Sequence, residues 1–171
     1  MGDPRKIHTK FKKPRHPWQA SRMAEEDKLL KEYGLVSKFE VWKMAAVLKG
    51  WQKQARSIVL TSADRRPQAE KVLITKLQGL GILGPKAKLY DVLALSLHDV
   101  LEKRLQTQVY KLGLAASSAQ SRQFIVHNKV LVDGRLVNSP AYLVKKDQKI
   151  SLIPGFKSII AKIPKVQEVA K

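Results

Sequence analysis

The chain contains no cysteine. Disulfide staples, thiolate metal sites such as a zinc ribbon, and a cysteine nucleophile are thereby excluded. Its four histidines, His8, His16, His98 and His127, show no i,i+4 spacing to one another. Imidazole ligands normally come in spaced groups, so neither a metal nor any other cofactor is expected. No apolar run approaches the roughly 18 residues of a membrane span. The N-terminus shows no secretory leader pattern, so a soluble, cytoplasmic protein without membrane contact is the expectation. Acids are scarce as well, and that scarcity leads to what is present.

Lys and Arg number 33 against 14 Asp and Glu, a formal net charge of +19. Such an excess repels itself in a compact chain unless a polyanion neutralises it. Nucleic acid is therefore the partner that composition favours. Residues 1–22 concentrate the charge: Arg5, Lys6, Lys10, Lys12, Lys13, Arg15 and Arg22 face one acid, Asp3, with prolines at 4, 14 and 17. With hardly any apolar periodicity this stretch cannot bury a core, and an arm that is extended when free is expected. On RNA it would order by neutralising phosphates, and Trp18, after the clustered cations, would stack on a base or anchor the arm to the helices.

Residues 23–97 read as a helical region. A helix from about Ala20 to Tyr33 stops at Gly34, and Ser37 with Glu40 forms a capping box for the next, from Lys38 to about Ile58. Along that helix Lys43, Lys49, Lys53 and Arg56 form a cationic face, whereas Trp42 and Trp51 read as core or interface anchors. A third helix spans Asp64 to Leu80, with Pro67 in its first turn and Ala69, Val72, Leu73 and Leu77 inward. The apolar segment Leu89–Leu95 is expected to form a helical turn that docks the first half onto the second.

Residues 98–154 carry the clearest local signals. Leu101, Leu105, Val109 and Leu112 keep helical spacing, predicting one helix from near His98 to Gly113, with Arg104, Gln108 and Lys111 as an outward stripe of donors. Ser117 and Gln120 make a second capping box, opening a helix from Ser118 to about His127. Small Ser121 on its inner face allows close approach to the first helix, while Arg122, Gln123 and His127 face outward. Asp133-Gly134 between Val130-Leu131-Val132 and Arg135-Leu136-Val137 predicts a type I′ hairpin, since that turn needs positive φ twice. A last strand is expected from Lys149 to Ile153. The unit is α-α-β-β-β, and the chain as a whole α+β. The tail, 155–171, mixes lysines with apolar residues and is expected to pack on the sheet as far as Ile163.

The run RLQTQVYKLGLA, the segment Ser117-x3-SRQ-x3-His127, and VLVDGRLVNSP resemble the S-four RNA-binding domain, shared by ribosomal proteins, some pseudouridine synthases and a bacterial tyrosyl-tRNA synthetase. Many members carry arginine where this chain has Ser118, and Asn128 stands where glycine is frequent, though asparagine tolerates the left-handed conformation. PRHPW, KEYGL, QARSIVL and LYDVLALSLHDVLEKRLQTQVYKLGLA extend the likeness to the archaeal branch of the S-four ribosomal protein family. That resemblance implies a primary binder of small-subunit ribosomal RNA at a junction in the five-prime domain. It also implies early assembly of the subunit body, contact with neighbouring small-subunit proteins near the messenger entry channel, and an influence on decoding accuracy.

The expected RNA contacts are Arg104, Gln108, Lys111, Arg122, Gln123, His127, Lys129 and Arg135 in the domain, Lys43, Lys53 and Arg56 before it, and Arg5, Lys6, Lys12, Lys13 and Arg15 in the arm. Arginine grips phosphate as a fork and lysine acts as a point charge. No catalytic residue and no small-molecule substrate are expected. Two rivals remain at this level: an RNA-modifying enzyme, for which only Asp91, Asp99 and Glu102 lie near the junction, and a sequence-specific DNA-binding protein, which a helix pair with a basic face also suits.

Overall fold

A computed structural model describes residue 9, residues 11–154 and residue 156. Arg5, Lys6 and the expected packing of the tail towards Ile163 lie outside the described residues. Four helices come first: α1 (Ala20–Tyr33), α2 (Lys38–Val59), α3 (Arg66–Gly79) and α4 (Leu89–Ala94). Three more follow, α5 (Leu97–Glu102), α6 (Leu105–Lys111) and α7 (Ser118–Val126), and then β1 (Val130–Val132), β2 (Arg135–Leu136) and β3 (Ile150–Leu152). The sheet is antiparallel in the order β2-β1-β3.

Local chemistry explains most boundaries. Gly34 closes α1 with a left-handed φ of 60°, a conformation costly for any residue with a Cβ. Ser37 Oγ accepts from Phe39 N at 3.2 Å, starting α2. Ser117 Oγ accepts from Gln120 N at 3.2 Å, and Ala116 N, one residue ahead of the cap, donates back to Gln120 Oε1 at 2.7 Å. Asp133 and Gly134 take φ of 50° and 78°, as a type I′ turn demands. Asn128 is left-handed at φ 56°, the conformation that asparagine tolerates better than most residues with a Cβ.

Two hydrophobic clusters divide the buried residues. One gathers Val41, Met44, Trp51, Leu73, Leu77, Val92 and Leu101 among the first helices; the other gathers Leu105, Val109, Phe124, Ile125, Val130 and Val132 between α6, α7 and the sheet. Each such side chain contributes roughly 1.5–3 kcal/mol when fully buried. The strap 140–146 stitches the two together: Leu105 N donates to Tyr142 O (2.8 Å), Val144 N to Lys103 O (2.9 Å), and Lys146 N to Gly79 O (2.9 Å).

Three expectations need correction. The single helix from His98 to Gly113 is two, because Arg104 is extended (φ −67°, ψ 142°) and bridges Leu143 of the strap. Strand-like bonding from a segment distant in sequence outcompetes one turn of helix. Val72 does not face inward; it is 71% exposed, since α3 meets α2 through the narrow stripe of Leu73 and Leu77, and the preceding position points about 100° away. The Ser37–Glu40 box is not closed either, because the Glu40 carboxylate is turned to two arginines.

Candidate nucleic-acid interface

The helix break decides where the basic residues go. Arg104, expected on an outward stripe, is swung inside by its extended backbone and is only 1% exposed. Its Nη2 meets Glu40 Oε2 at 2.5 Å. Arg122 from α7 reaches the same carboxylate, Nη2 to Oε1 at 2.9 Å, and donates from Nη1 to Gln106 Oε1 at 3.3 Å. The Gln106 amide in turn donates to Gly34 O (2.8 Å) and Ser118 O (3.0 Å). One acid at the start of α2 thus holds two arginines, and one glutamine ties the end of α1 to the start of α7.

Burial by itself would raise the Glu40 carboxyl, but the hydrogen bonds and charges of Arg122 and Arg104 together outweigh it and hold the pKa below the usual carboxylate value. Arg104 is pulled below the ordinary guanidinium range by burial, opposed by Glu40. A buried charge is tolerated only when paired and hydrogen-bonded, so Arg104 and Glu40 act in the joint between the two clusters. Of the predicted interface, then, Arg104 is corrected to an interior residue.

Gly34 sits in this joint, and a Cβ there would overlap the Ser118 side chain as well as strain the left-handed backbone. Gly34→Ala is expected to cost about 3 kcal/mol. Gly50→Ala, in mid-α2 with open space around it, should instead stabilise by about 0.5–1 kcal/mol. Urea denaturation of the two variants checks the contrast.

The remaining predicted residues lie outside this joint. Gln108 is half-buried, its amide donating to Glu102 O at 2.8 Å at the end of α5. Lys111 is exposed and meets Glu102 at 3.1 Å, a surface pair of about 0–1 kcal/mol that a phosphate can displace. Gln123, His127 and Arg135 are exposed, and half-buried Lys129 stands 5.6 Å from the Phe156 ring. Lys43, Lys53 and Arg56 are exposed on α2, opposite its buried stripe of Val41, Met44, Leu48, Trp51 and Ala55. Among the described residues, none of Lys43, Lys53, Arg56, Lys129 and Arg135 has a carboxylate within salt-bridge distance.

Lys12, Lys13 and Arg15 are also exposed, but the arm's described end does not stand free. Arg22 Nη2 donates to Pro17 O (2.8 Å) and His16 O (3.2 Å), and Phe11 packs against Phe39 and Trp42 at 5.8 and 6.2 Å. Sequence reasoning missed Glu40, Gln106 and Phe11. The first read as half of a capping box, the second lies between the two faces the helical spacing picks out, and a lone Phe among cations carried no periodic signal.

The acids near the junction are occupied in capping helices or in a surface ion pair. Asp91 Oδ2 accepts from Lys88 N at 2.7 Å, Asp99 Oδ2 accepts from Ser96 N at 2.8 Å, and Glu102 pairs with Lys111. Among the described residues no group of three His, Asp or Glu is placed to hold a metal ion, and no helix is long and apolar enough to cross a membrane.

A helix pair packed on a three-stranded antiparallel sheet, with basic residues outside, is the form of an S4 domain, and the family model for that domain matches residues 103–150. Full-length relatives extend the match. The chain is 45% identical over 149 residues to the small ribosomal subunit protein uS4 of Ignicoccus hospitalis, covering 87% of this chain and 90% of the relative. It is 38% identical over 170 residues to that of Methanosphaera stadtmanae, covering 98% and 92%. With the Hyperthermus butylicus protein the identity is 43% over 149 residues, 87% and 85% of the two chains. The chain belongs to the small ribosomal subunit protein uS4 family, a family of structural ribosomal proteins and not of enzymes. The resemblance to the archaeal branch of that family, read from PRHPW, KEYGL and the S-four motifs, is thereby borne out.

Proposed function

We propose that this chain is a structural constituent of the cytoplasmic small ribosomal subunit and binds its RNA directly. In this reading it is a primary binder that nucleates the subunit body at a multi-helix junction of the five-prime domain. It then meets neighbouring small-subunit proteins near the messenger entry channel and influences decoding accuracy through them. The observation that carries the reading is the set of cations without a carboxylate partner among the described residues: exposed Lys43, Lys53 and Arg56 on α2, and half-buried Lys129 with exposed Arg135 on the domain. Gln123, His127 and Lys111 complete the domain face, with the exposed part of Arg122 at its edge, where the residue also pairs with Glu40, and Lys12, Lys13 and Arg15, continued by Arg5 and Lys6, supply the arm.

The mechanism is charge neutralisation plus fit. An RNA helix hides its major groove from side chains, so the protein reads phosphates, 2′-hydroxyls and the angles between helices. Two clusters locked by the Glu40 joint and the strap present these groups at preset spacings, which limits the ordering cost on binding. Hydroxyl-radical footprinting of the chain on protein-free small-subunit RNA is expected to give protections converging on one junction. Diffuse protection, or tighter binding to a DNA duplex than to this RNA, would count against the reading.

A further inference from the structure

We propose that Trp18 is a stacking platform for an unpaired RNA base, held in position by a latch formed by Arg22, Glu26 and Trp42. The proposal rests on the RNA-binding reading above and adds a site to it. The indole is 87% exposed, an unusual place for a side chain that normally covers 150–250 Å² of apolar contact. It does not anchor the arm, because Phe11 fills that role against Phe39 and Trp42.

Its backbone is nonetheless fixed on both sides. Upstream, the carbonyls of His16 and Pro17 are gripped by Arg22. Arg22 is seated on Glu26, and Glu26 Oε1 also accepts from Trp42 Nε1 at 2.8 Å. Downstream, α1 begins at Ala20. Glu26 is itself buried beneath the arm, along a small cleft shared with Pro14, Pro17 and Met23. The result is an immobilised backbone that presents an uncovered ring.

The surroundings select the occupant. Lys12, Lys13, Arg15 and His16 are exposed within the same short segment, which contains no acid. Lysines and an arginine in the same short segment as an uncovered aromatic ring favour a nucleic-acid strand, whose phosphates meet the charges while a base lies on the ring. Base-on-aromatic stacking is sequence-tolerant and worth about 1–3 kcal/mol per base, or roughly 5- to 150-fold in affinity.

The test uses the full chain and protein-free small-subunit RNA. Trp18→Ala is expected to weaken binding at least about fivefold with unchanged circular dichroism, while Trp18→Phe retains most of the affinity. The log-log salt slope stays that of the parent chain, since no phosphate contact is removed. RNA should quench the Trp18 emission and shield it from iodide, a signal missing in Trp18→Phe. Arg22→Gln should weaken binding and shrink the Trp18→Ala loss; strictly additive losses would overturn the latch. Binding of Trp18→Ala equal to that of the parent chain overturns the platform. So does a loss seen only when other small-subunit proteins are present, which would make Trp18 a protein anchor. If the parent chain itself binds weakly and without salt dependence, the RNA-binding reading has failed instead.

Discussion

Glu40→Ala is expected to destabilise the chain by roughly 3–5 kcal/mol. The magnitude follows from where the compensation for Arg104 lies. That guanidinium is almost wholly buried, and its Nε and Nη1 have no partner among the described residues, so Glu40 supplies its neutralisation. Removing the acid strands a buried charge, whereas Arg122, more than a quarter exposed, turns to water. For a chain of this length the loss should lower the Tm by about 10 °C. Replacing the pair together, Glu40→Leu with Arg104→Met, is expected to recover much of the stability, because apolar residues of similar volume avoid the desolvation cost altogether.

The pH dependence has a definite sign. The folded Glu40 pKa is depressed from its ordinary 4.5, so in acid the unfolded chain takes up the proton first. The joint's contribution is fully present above that ordinary value and is lost as the pH falls through the lower, folded one. Urea titrations of the parent chain between neutral and acid pH should show this decline, and Glu40→Ala should lack that component of it.

The second large effect concerns affinity rather than stability. Neutralising Lys43, Lys53 and Arg56 together to glutamine should weaken binding to small-subunit RNA about 100-fold near 0.1 M salt. Each lost phosphate contact should also take about one unit from the log-log salt slope. Unfolding free energy should stay within about 0.5 kcal/mol per site, since all three project from the outer face of α2. Glu40→Ala and this triple variant separate the two tasks of the charged residues: one joint holds the body together, and one surface meets the polyanion. Filter binding beside thermal unfolding of each variant measures both.

Local chemistry was legible in the sequence wherever a few neighbouring residues decide the backbone. Gly34, Ser37, Ser117 and Asp133-Gly134 each ended or began an element where expected, and Trp51 went to the core as read. The break at Lys103-Arg104 was not legible, because the bonds that cause it come from Tyr142 and Val144 in the strap. Glu40 illustrates the same limit: a residue well suited to capping α2 was drawn instead to arginines on α6 and α7, where the gain from compensating a buried charge exceeds that of one cap. For Trp18 the two readings, stacking or anchoring, were separable only once Phe11 was seen to occupy the aromatic seat.

The central claim is that a preformed basic surface recognises folded RNA by displacing counterions. Titrating the full chain with protein-free small-subunit RNA across a range of salt concentrations tests it most directly. Six or more phosphate contacts give a log-log slope of about −4 or steeper, and that is the expected result. A slope near zero, with the protein folded throughout, would contradict the account.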